Sequence, residues 1–272
     1  MPQHTRRIVI RRITGFGAAF ALVLLLGATA SAAPFFFTTG DPDGRLGAAT
    51  RPDSRGKIEI EAADDFILPS ETCITQATFT GLLFHGGRGE IRDVVVEIYR
   101  VFPNDSDVGR TSGFPTFSTP QVPTRVNSPA DNALDERSSA DGTLQYTTTF
   151  PDAHFQAANS VINGIHPLPA NPLTGGEGPV AGQEVQFTVK FNSPFDLPAD
   201  HYFFVPQVEL QGRGGNFLWL SAPGPPSFAG DLQMWIRNAE LEPDWLRVGT
   251  DIVGGATFNG SFSLSGTTGS CP

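Results

Sequence analysis

The sequence predicts an all-β fold, and three observations lead to this prediction. Several segments alternate apolar and polar side chains with a period of two, which is typical of half-buried strands. Gly and Pro together make up about a fifth of the 272 residues, as in proteins rich in turns. No segment has the apolar spacing of an α-helix longer than two turns. We therefore expect one domain of about ten short strands in an antiparallel sandwich or barrel.

The predicted strands are short and are separated by turn residues. They lie at about 57–66, 73–84, 91–102, 145–150, 184–191, 201–210, 217–221, 232–237, 245–248 and 261–265. The segment 201–210 is apolar on both faces, so we expect it in the centre of a covered sheet. The tetrapeptide His85-Gly86-Gly87-Arg88 supplies a turn between the second and third strands, and 152–165 has room for one helical turn.

Two segments lack any regular period. Residues 33–56 are rich in Gly, Pro and Asp and are predicted to form a loop or a loosely held arm. Residues 103–143 contain five prolines and are predicted to form a long excursion from a single domain spanning 57–272. Long loops in compact domains are often functional.

Residues 1–32 have the three parts of a secretory signal peptide. Four arginines precede an apolar stretch from Ala18 to Leu26, and Ala30-Ser31-Ala32 provides a small-x-small cleavage site. An uncleaved N-terminal anchor is the alternative, although the apolar stretch is short for a bilayer. We expect cleavage after Ala32 and an extracellular or periplasmic protein.

The acidic balance of the chain excludes several kinds of partner. Removing residues 1–32 takes away four arginines and no acid, so the net charge changes from −10 to −14. Nucleic acids need a basic face, and so do anionic membrane surfaces. We expect no nucleic acid and no membrane insertion after cleavage, because no later segment has 18 consecutive apolar residues. A cation or a neutral partner is favoured.

The chain has two cysteines, Cys73 and Cys271. An even number in an oxidising compartment predicts one disulfide, which would tie an early strand to the C-terminus. Two free thiols, or a Cys271 that captures another molecule, are the alternatives.

Strand patterns in two parts of the chain resemble a family of uncharacterised exported bacterial β-sandwich proteins. The pattern covers Ile60–Pro69, Ile74–Gly81 and Val94–Tyr99, and continues in Leu197–Phe203 and Trp245–Thr250. The resemblance implies a sandwich of the jelly-roll, galactose-binding-like type and export, and it implies no activity. Many such proteins carry a PEP-CTERM sorting tail. The segment Gly266–Pro272 has no such motif, so we expect free secretion or periplasmic residence rather than sorting to the surface.

The sequence singles out no catalytic constellation. The glycines after His85 resemble an oxyanion loop, but no Gly-x-Ser-x-Gly elbow accompanies them. The histidines His85, His154, His166 and His201 are too far apart in sequence for a zinc motif. No pair among the 28 acids is distinguished as a glycosidase pair. We expect no enzyme, and we keep as an alternative a hydrolase whose site forms only in the folded chain.

Calcium is the one ion that the sequence favours, as a structural ligand. Asp41 and Asp43 precede Gly44, and Asp105 and Asp107 precede Gly109. Alternate carboxylates in a turn supply several of the hard oxygens that calcium needs. Ordinary turns have the same composition, so turn formation alone is the alternative. No other cofactor is expected.

Carbohydrate binding is the function that the aromatic residues favour. Trp235 and Trp245 bracket the polar stretch Arg237–Asp244, and a pyranose can stack on an exposed indole while nearby polar groups such as Arg237 and Asn238 bind its hydroxyls. Core positions for these residues and for Trp219 are the alternative. We expect a non-catalytic module that binds a glycan or a surface protein, with a structural or matrix sandwich as the alternative.

Overall fold

The structure is a computed structural model that describes residues 32–54, 56–85, 91–111, 117–119, 122–165, 173–212, 214–224 and 233–272. The predicted signal peptide, except for its last residue, lies outside the described residues, and so do most of the predicted turn after His85 and residues 166–172. Residues 32–272 form one compact unit.

The strands form two sheets. The larger sheet has ten strands: β1 (Pro34–Thr38), β2 (Leu46–Ala49), β4 (Thr72–Phe84), β7 (Leu144–Thr149), β8 (Phe155–Ala157), β9 (Asn159–Val161), β10 (Val180–Leu197), β12 (Asn216–Ala222), β15 (Asn259–Gly260) and β16 (Phe262–Thr268). The smaller sheet has six strands: β3 (Ile60–Leu68), β5 (Ile91–Arg100), β6 (Asp135–Ser138), β11 (Asp200–Leu210), β13 (Trp235–Asn238) and β14 (Leu246–Arg247). The two sheets pack face to face, which confirms the predicted all-β sandwich.

Strand order explains which elements are central. The larger sheet runs β1-β16-β4-β12-β2-β9, with β10 paired to β4, β7 and β8, and the smaller sheet runs β14-β13-β3-β11-β5-β6. All described strand pairs are antiparallel except β2 with β9. Strand β11 lies between β3 and β5 and is buried on both faces, as its apolar sequence predicts.

Aromatic side chains fill the space between the sheets. The rings of Phe79 and Phe187 stack with their centroids 4.8 Å apart within the larger sheet. Phe204 of the smaller sheet stacks on Phe262 of the larger sheet at 4.9 Å. Such pairs add to the stabilisation from burial of their apolar area. The alternating aromatic positions of the sequence therefore mark the inner faces of the sandwich.

The predicted N-terminal arm is wrong, because residues 33–56 contribute two strands. Phe35 and Phe37 of β1 pack against the core, and Leu46 and Ala48 of β2 are fully buried. The helical turn predicted within 152–165 is also wrong, since β8 and β9 lie there. A segment of three to five residues is too short to show the period-two alternation of a strand. These segments form strands because they pair with neighbours that are remote in sequence.

The described residues of the predicted excursion are mostly irregular. They include one 3₁₀ turn at Val108–Arg110 and strand β6. Residues around Ala130 lie over the outer face of the smaller sheet and bury it. A single π-helical turn, Val248–Val253, follows β14.

Candidate functional site

The three tryptophans are buried. Trp219, Trp235 and Trp245 have at most 1% of their surface exposed. Trp245 donates from Nε1 to the carbonyl of Ala130 at 3.0 Å, and its ring meets Tyr99 edge to face. Trp235 and Trp245 therefore form no exposed stacking platform, and the alternative, core positions for all three tryptophans, is the one observed. The outer face of the smaller sheet is covered by the 103–143 excursion, which forms a second small core with these rings.

Arg237 is also buried and fully engaged by protein groups. Its Nη2 donates to Glu61 Oε1 at 3.0 Å and to the Tyr99 hydroxyl at 2.9 Å, and Nε donates to the other Glu61 oxygen. Its Nη1 donates to the carbonyl of Asp131 at 2.9 Å, and the guanidinium lies 4.4 Å from the centre of the Trp245 ring. Arg237 thus joins β13, β3 and the excursion, and it is not presented to a ligand.

Carboxyl groups crowd the same layer. Tyr99 donates to Glu61 Oε1 at 2.6 Å, and Glu97 Oε2 lies 3.4 Å from the same hydroxyl. Burial raises the pKa of Glu97 well above its ordinary value, and the Glu61 and Glu59 carboxylates raise it further. Burial likewise raises the pKa of Glu59, next to Gln207. The single guanidinium of Arg237 does not balance three carboxylates, and this imbalance favours the protonated form of Glu97.

The predicted polar rim, Arg237–Asp244, lines a cleft, although Arg237 itself is not part of the cleft wall. The turn after β13 folds so that Asn238 Oδ1 accepts a hydrogen bond from the Leu241 amide at 3.0 Å. Beside this turn is a cleft of about 340 Å³. Its walls are formed by Arg110, Thr119, Asn238, Glu240, Leu241, Glu242 and Asp244.

Two residues of the cleft wall, Arg110 and Asp244, belong to a network of ion pairs. Asp244 Oδ1 accepts hydrogen bonds from Arg110 Nη2 at 3.0 Å, from Arg125 Nη1 at 3.2 Å and from Ser118 Oγ. Asp131 pairs with the same two arginines. Arg125 is completely buried, with its guanidinium 4.4 Å from the centre of the Phe102 ring. Two guanidinium groups and two carboxylates balance each other, and they fix the excursion to the segment that follows β13.

The carboxylates predicted to bind calcium have protein partners. Asp43 Oδ1 accepts from the Arg45 amide at 3.0 Å and from Ser221 Oγ. Asp105 pairs with Arg100, whose hydrogen bond holds the pKa of that carboxyl below its ordinary value.

The other two predicted ligands give no further support for calcium. Asp107 Oδ1 accepts from the Gly109 amide at 2.9 Å and caps the 3₁₀ turn, while Asp41 is exposed. In the described part of the chain, no three His, Cys, Asp or Glu side chains are placed to share a metal ion. Calcium binding at Asp41, Asp43, Asp105 and Asp107 stays a prediction.

One pair that the sequence did not single out is Asp65 with His201. The Nε2 of the imidazole and Oδ2 of the carboxyl are 2.6 Å apart, and the imidazole stacks on Phe203. Burial raises the pKa of Asp65 to about 6, although His201 acts in the opposite direction. Within the described residues this imidazole contacts no hydroxyl or thiol nucleophile. The alternation of β3 and β11 places both residues on outer faces, but only the register brings them together.

The predicted disulfide is confirmed. Cys73 on β4 is bonded to Cys271, three residues after the end of β16. No helix in the described ranges is long and apolar enough to cross a membrane.

Known proteins give no independent guide to this site. Comparisons with protein-family models, with curated proteins and with solved structures returned no match to the chain.

Proposed function

We propose that the chain is an exported, non-catalytic binding module that holds a sugar unit of a glycan in the cleft beside the 238–244 turn. The observation that carries the proposal is a cleft of about 340 Å³ whose walls mix donors and acceptors and include the Arg110–Asp244 ion pair. This volume is near the lower end of the range for small-ligand sites. A ligand of one or two sugar units is of matching size.

The chemistry of the walls supports a hydroxyl-rich ligand. Glu240 and Glu242 are exposed carboxylates, and Asn238 and Thr119 add an amide and a hydroxyl. Adjacent sugar hydroxyls both donate and accept, so they are satisfied by carboxylates and amides in one small space. Leu241 supplies an apolar contact for the face of the ring.

The negative charge of the cleft limits which class of sugar it can bind. The positive charge of Arg110 is already matched by Asp131 and Asp244, whereas Glu240 and Glu242 have no ion pair within the described residues. An anionic ligand would therefore be repelled. A neutral or amino sugar is the ligand class that these groups favour.

Export is supported by the Cys73–Cys271 disulfide, because such bonds persist in oxidising compartments. The signal-peptide pattern of residues 1–32 supports the same proposal.

The test is a glycan-array screen of the protein as it is processed after expression of the full chain in a secreting host. Binding to a neutral or amino glycan is expected, and Glu240→Gln and Glu242→Gln should each weaken it about tenfold, since a hydrogen bond to a charged group contributes about 1.5–3 kcal/mol. Asp196→Asn, an exposed change on β10, is the matched control. No binding to any glycan, or equal loss in the control, would overturn the proposal. Repeating the screen in EDTA tests whether calcium contributes.

A structural or matrix role is the second candidate. The burial of all three tryptophans favours it, because an exposed aromatic platform is the usual feature of a sugar-binding surface. A hydrolase is less favoured, since the Asp65–His201 pair lies outside the cleft and has no nucleophile among the described residues. A folded protein that binds no glycan on the array would favour the structural candidate.

A further inference from the structure

Strand β1 is the terminal strand of the larger sheet and pairs with β16 on one side only, as far as the described residues show. Its register is known at both ends, because the Thr268 amide donates to the Ala33 carbonyl and the Thr39 amide donates to the Phe262 carbonyl. In an antiparallel pair, residues alternate between those that bond to the partner strand and those that point away. Ala33, Phe35, Phe37 and Thr39 therefore bond towards β16.

The backbone groups of the other residues point outward. Phe36 and Thr38 each direct an N–H and a carbonyl to the free edge, and Pro34 directs a carbonyl only, since proline has no N–H. Native edge strands are commonly protected by charges, bulges or a covering segment. The segment 33–40 contains no charged side chain. Pro34, at the first position of β1, is the one protective residue there.

Phe36 makes this edge unusual. Its side chain is 67% exposed, the largest value among the large apolar side chains of the described residues, while Phe35 and Phe37 pack inward. The side chains next to it across the sheet, Ser265 and Gln76, are uncharged. An exposed phenyl ring beside unused backbone donors and acceptors is suited to pairing with another strand.

We propose that β1 pairs antiparallel with β1 of a second copy of this chain, about a twofold axis through Phe36. The strand is self-complementary in that register. Phe36 meets Phe36 of the second copy and exchanges two hydrogen bonds with it, and each Thr38 amide donates to the Pro34 carbonyl of the other copy. Pro34 is the one outward position without an N–H donor. In this register it lies opposite Thr38 of the second copy, so one hydrogen bond is missing at each end of the paired segment and none in its centre.

The same register places the two Phe36 rings side by side on the solvent face of a sheet continuous across both molecules. Cross-strand aromatic pairs stabilise such contacts. The paired edge is only five residues long, so it buries less area than a standard interface, and the dimer is weak and depends on concentration. This surface is separate from the cleft, and the inference does not depend on the proposed glycan binding.

Sedimentation velocity of the processed protein, from micromolar to millimolar concentration, tests the association. A monomer–dimer equilibrium is expected, and Phe36→Lys should abolish it by placing like charges on the axis. Val108→Lys, which puts the same charge at another exposed apolar position, should leave the equilibrium unchanged. A protein that stays monomeric throughout, or a dimer that survives Phe36→Lys, would overturn the proposal.

Cross-linking tests the register. Opposite residues of a hydrogen-bonded pair have Cα atoms about 5.5 Å apart, a distance that a disulfide spans. Phe36→Cys should therefore give a covalent dimer on mild oxidation. Thr38→Cys should give no covalent dimer. Each Thr38 lies opposite Pro34 of the second copy, and Thr38 of that copy is four residues further along the strand. Equal cross-linking of both variants would contradict the proposed axis.

Discussion

At the scale of single residues, the most informative position is Trp245. It lies between Tyr99, Arg237 and the backbone of Ala130, and it is completely buried. Its neighbour in the same layer, Arg237, has hydrogen bonds to Glu61, Tyr99 and Asp131. Both residues hold the excursion on the smaller sheet, so their loss should be seen in stability before it is seen in binding.

Trp245→Ala should lower the free energy of unfolding by about 3–5 kcal/mol, as is common when a large buried aromatic side chain is removed. Urea denaturation followed by circular dichroism measures this change. Phe36→Ala is the control, because an exposed ring contributes little to the stability of the monomer. A loss of less than about 1 kcal/mol for Trp245→Ala would show that the indole is not in the core.

Arg237→Met should cost about 3–5 kcal/mol, because it leaves the Glu61 carboxylate buried without its partner. The double variant Arg237→Met with Glu61→Gln should be less destabilised than the sum of the two single variants, since it removes the uncompensated charge. Denaturation of the four proteins of this cycle measures the coupling. Additive effects would show that the two side chains are not paired.

At the scale of elements, β3 has an unusual content of buried acids. Asp64 faces the core between the sheets, where Oδ2 accepts a hydrogen bond from the Gly260 amide at 2.9 Å, and burial raises its pKa well above its ordinary value. Asp65 faces the other side with a pKa of about 6. On β5, the pKa of Glu97 is raised by burial and by Glu61. These buried carboxyls of β3 and β5 make the free energy of unfolding depend on pH.

The sign of that dependence follows from the raised pKa values. These carboxyls bind protons more tightly in the folded chain than in the unfolded chain, so their protonation raises the free energy of unfolding. This contribution is complete below the unfolded pKa of about 4. It is lost as the pH rises through each folded pKa, which is about 6 for Asp65. Asp105 acts in the opposite direction, but it is exposed enough to be screened by solvent.

We therefore predict that the urea midpoint is higher at pH 5 than at pH 7. Asp64→Asn, whose amide resembles the protonated carboxyl, should make this difference smaller. Asp196→Asn on the exposed face of β10 serves as the control and should leave the difference unchanged. A midpoint that rises from pH 5 to pH 7 would contradict the assignment of raised pKa values.

The disulfide joins two elements remote in sequence. Cys73 and Cys271 are separated by 198 residues, and the bond holds the segment after β16 against β4. Closing so long a loop in the unfolded chain gives an entropic stabilisation of at most about 5 kcal/mol. The double variant Cys73→Ser and Cys271→Ser should approach that loss in urea denaturation. A midpoint equal to that of the oxidised protein would show that the bond contributes nothing.

At the scale of the whole molecule, the sequence predicts the architecture better than the site. Strand β4 was predicted from its apolar residues, without strict alternation. Period-two alternation over eight or more residues predicted β3, β5 and β10, because successive side chains of a strand point to opposite faces. It failed for β1, β2, β8 and β9, whose three to five residues are too short to carry a period. The jelly-roll connection stays a prediction, as does the resemblance to exported sandwich proteins.

The site was predictable only in part. The turn 238–244 was recognisable as a loop rim from its polar residues, and it does line the cleft. Core positions for Trp235 and Trp245 were one of the two interpretations of the sequence, and their burial agrees with it. That the excursion covers them was not predictable, because it depends on where the excursion folds. Arg110 and Thr119 reach the cleft through that same excursion, and the Asp65–His201 pair depends on strand register. Contacts that depend on tertiary placement leave no local pattern in the sequence.

If the proposed function is right, a sugar binds in the cleft beside the 238–244 turn and not at an aromatic platform. Titration of the ¹⁵N-labelled processed protein with neutral and amino sugars, followed by amide chemical shifts, locates the binding site. We expect shifts confined to residues around Arg110, Thr119 and 238–244, with the indole signals of the three tryptophans unmoved. Shifts centred on the tryptophan indoles, or shifts at no amide near the cleft with every sugar, would contradict it.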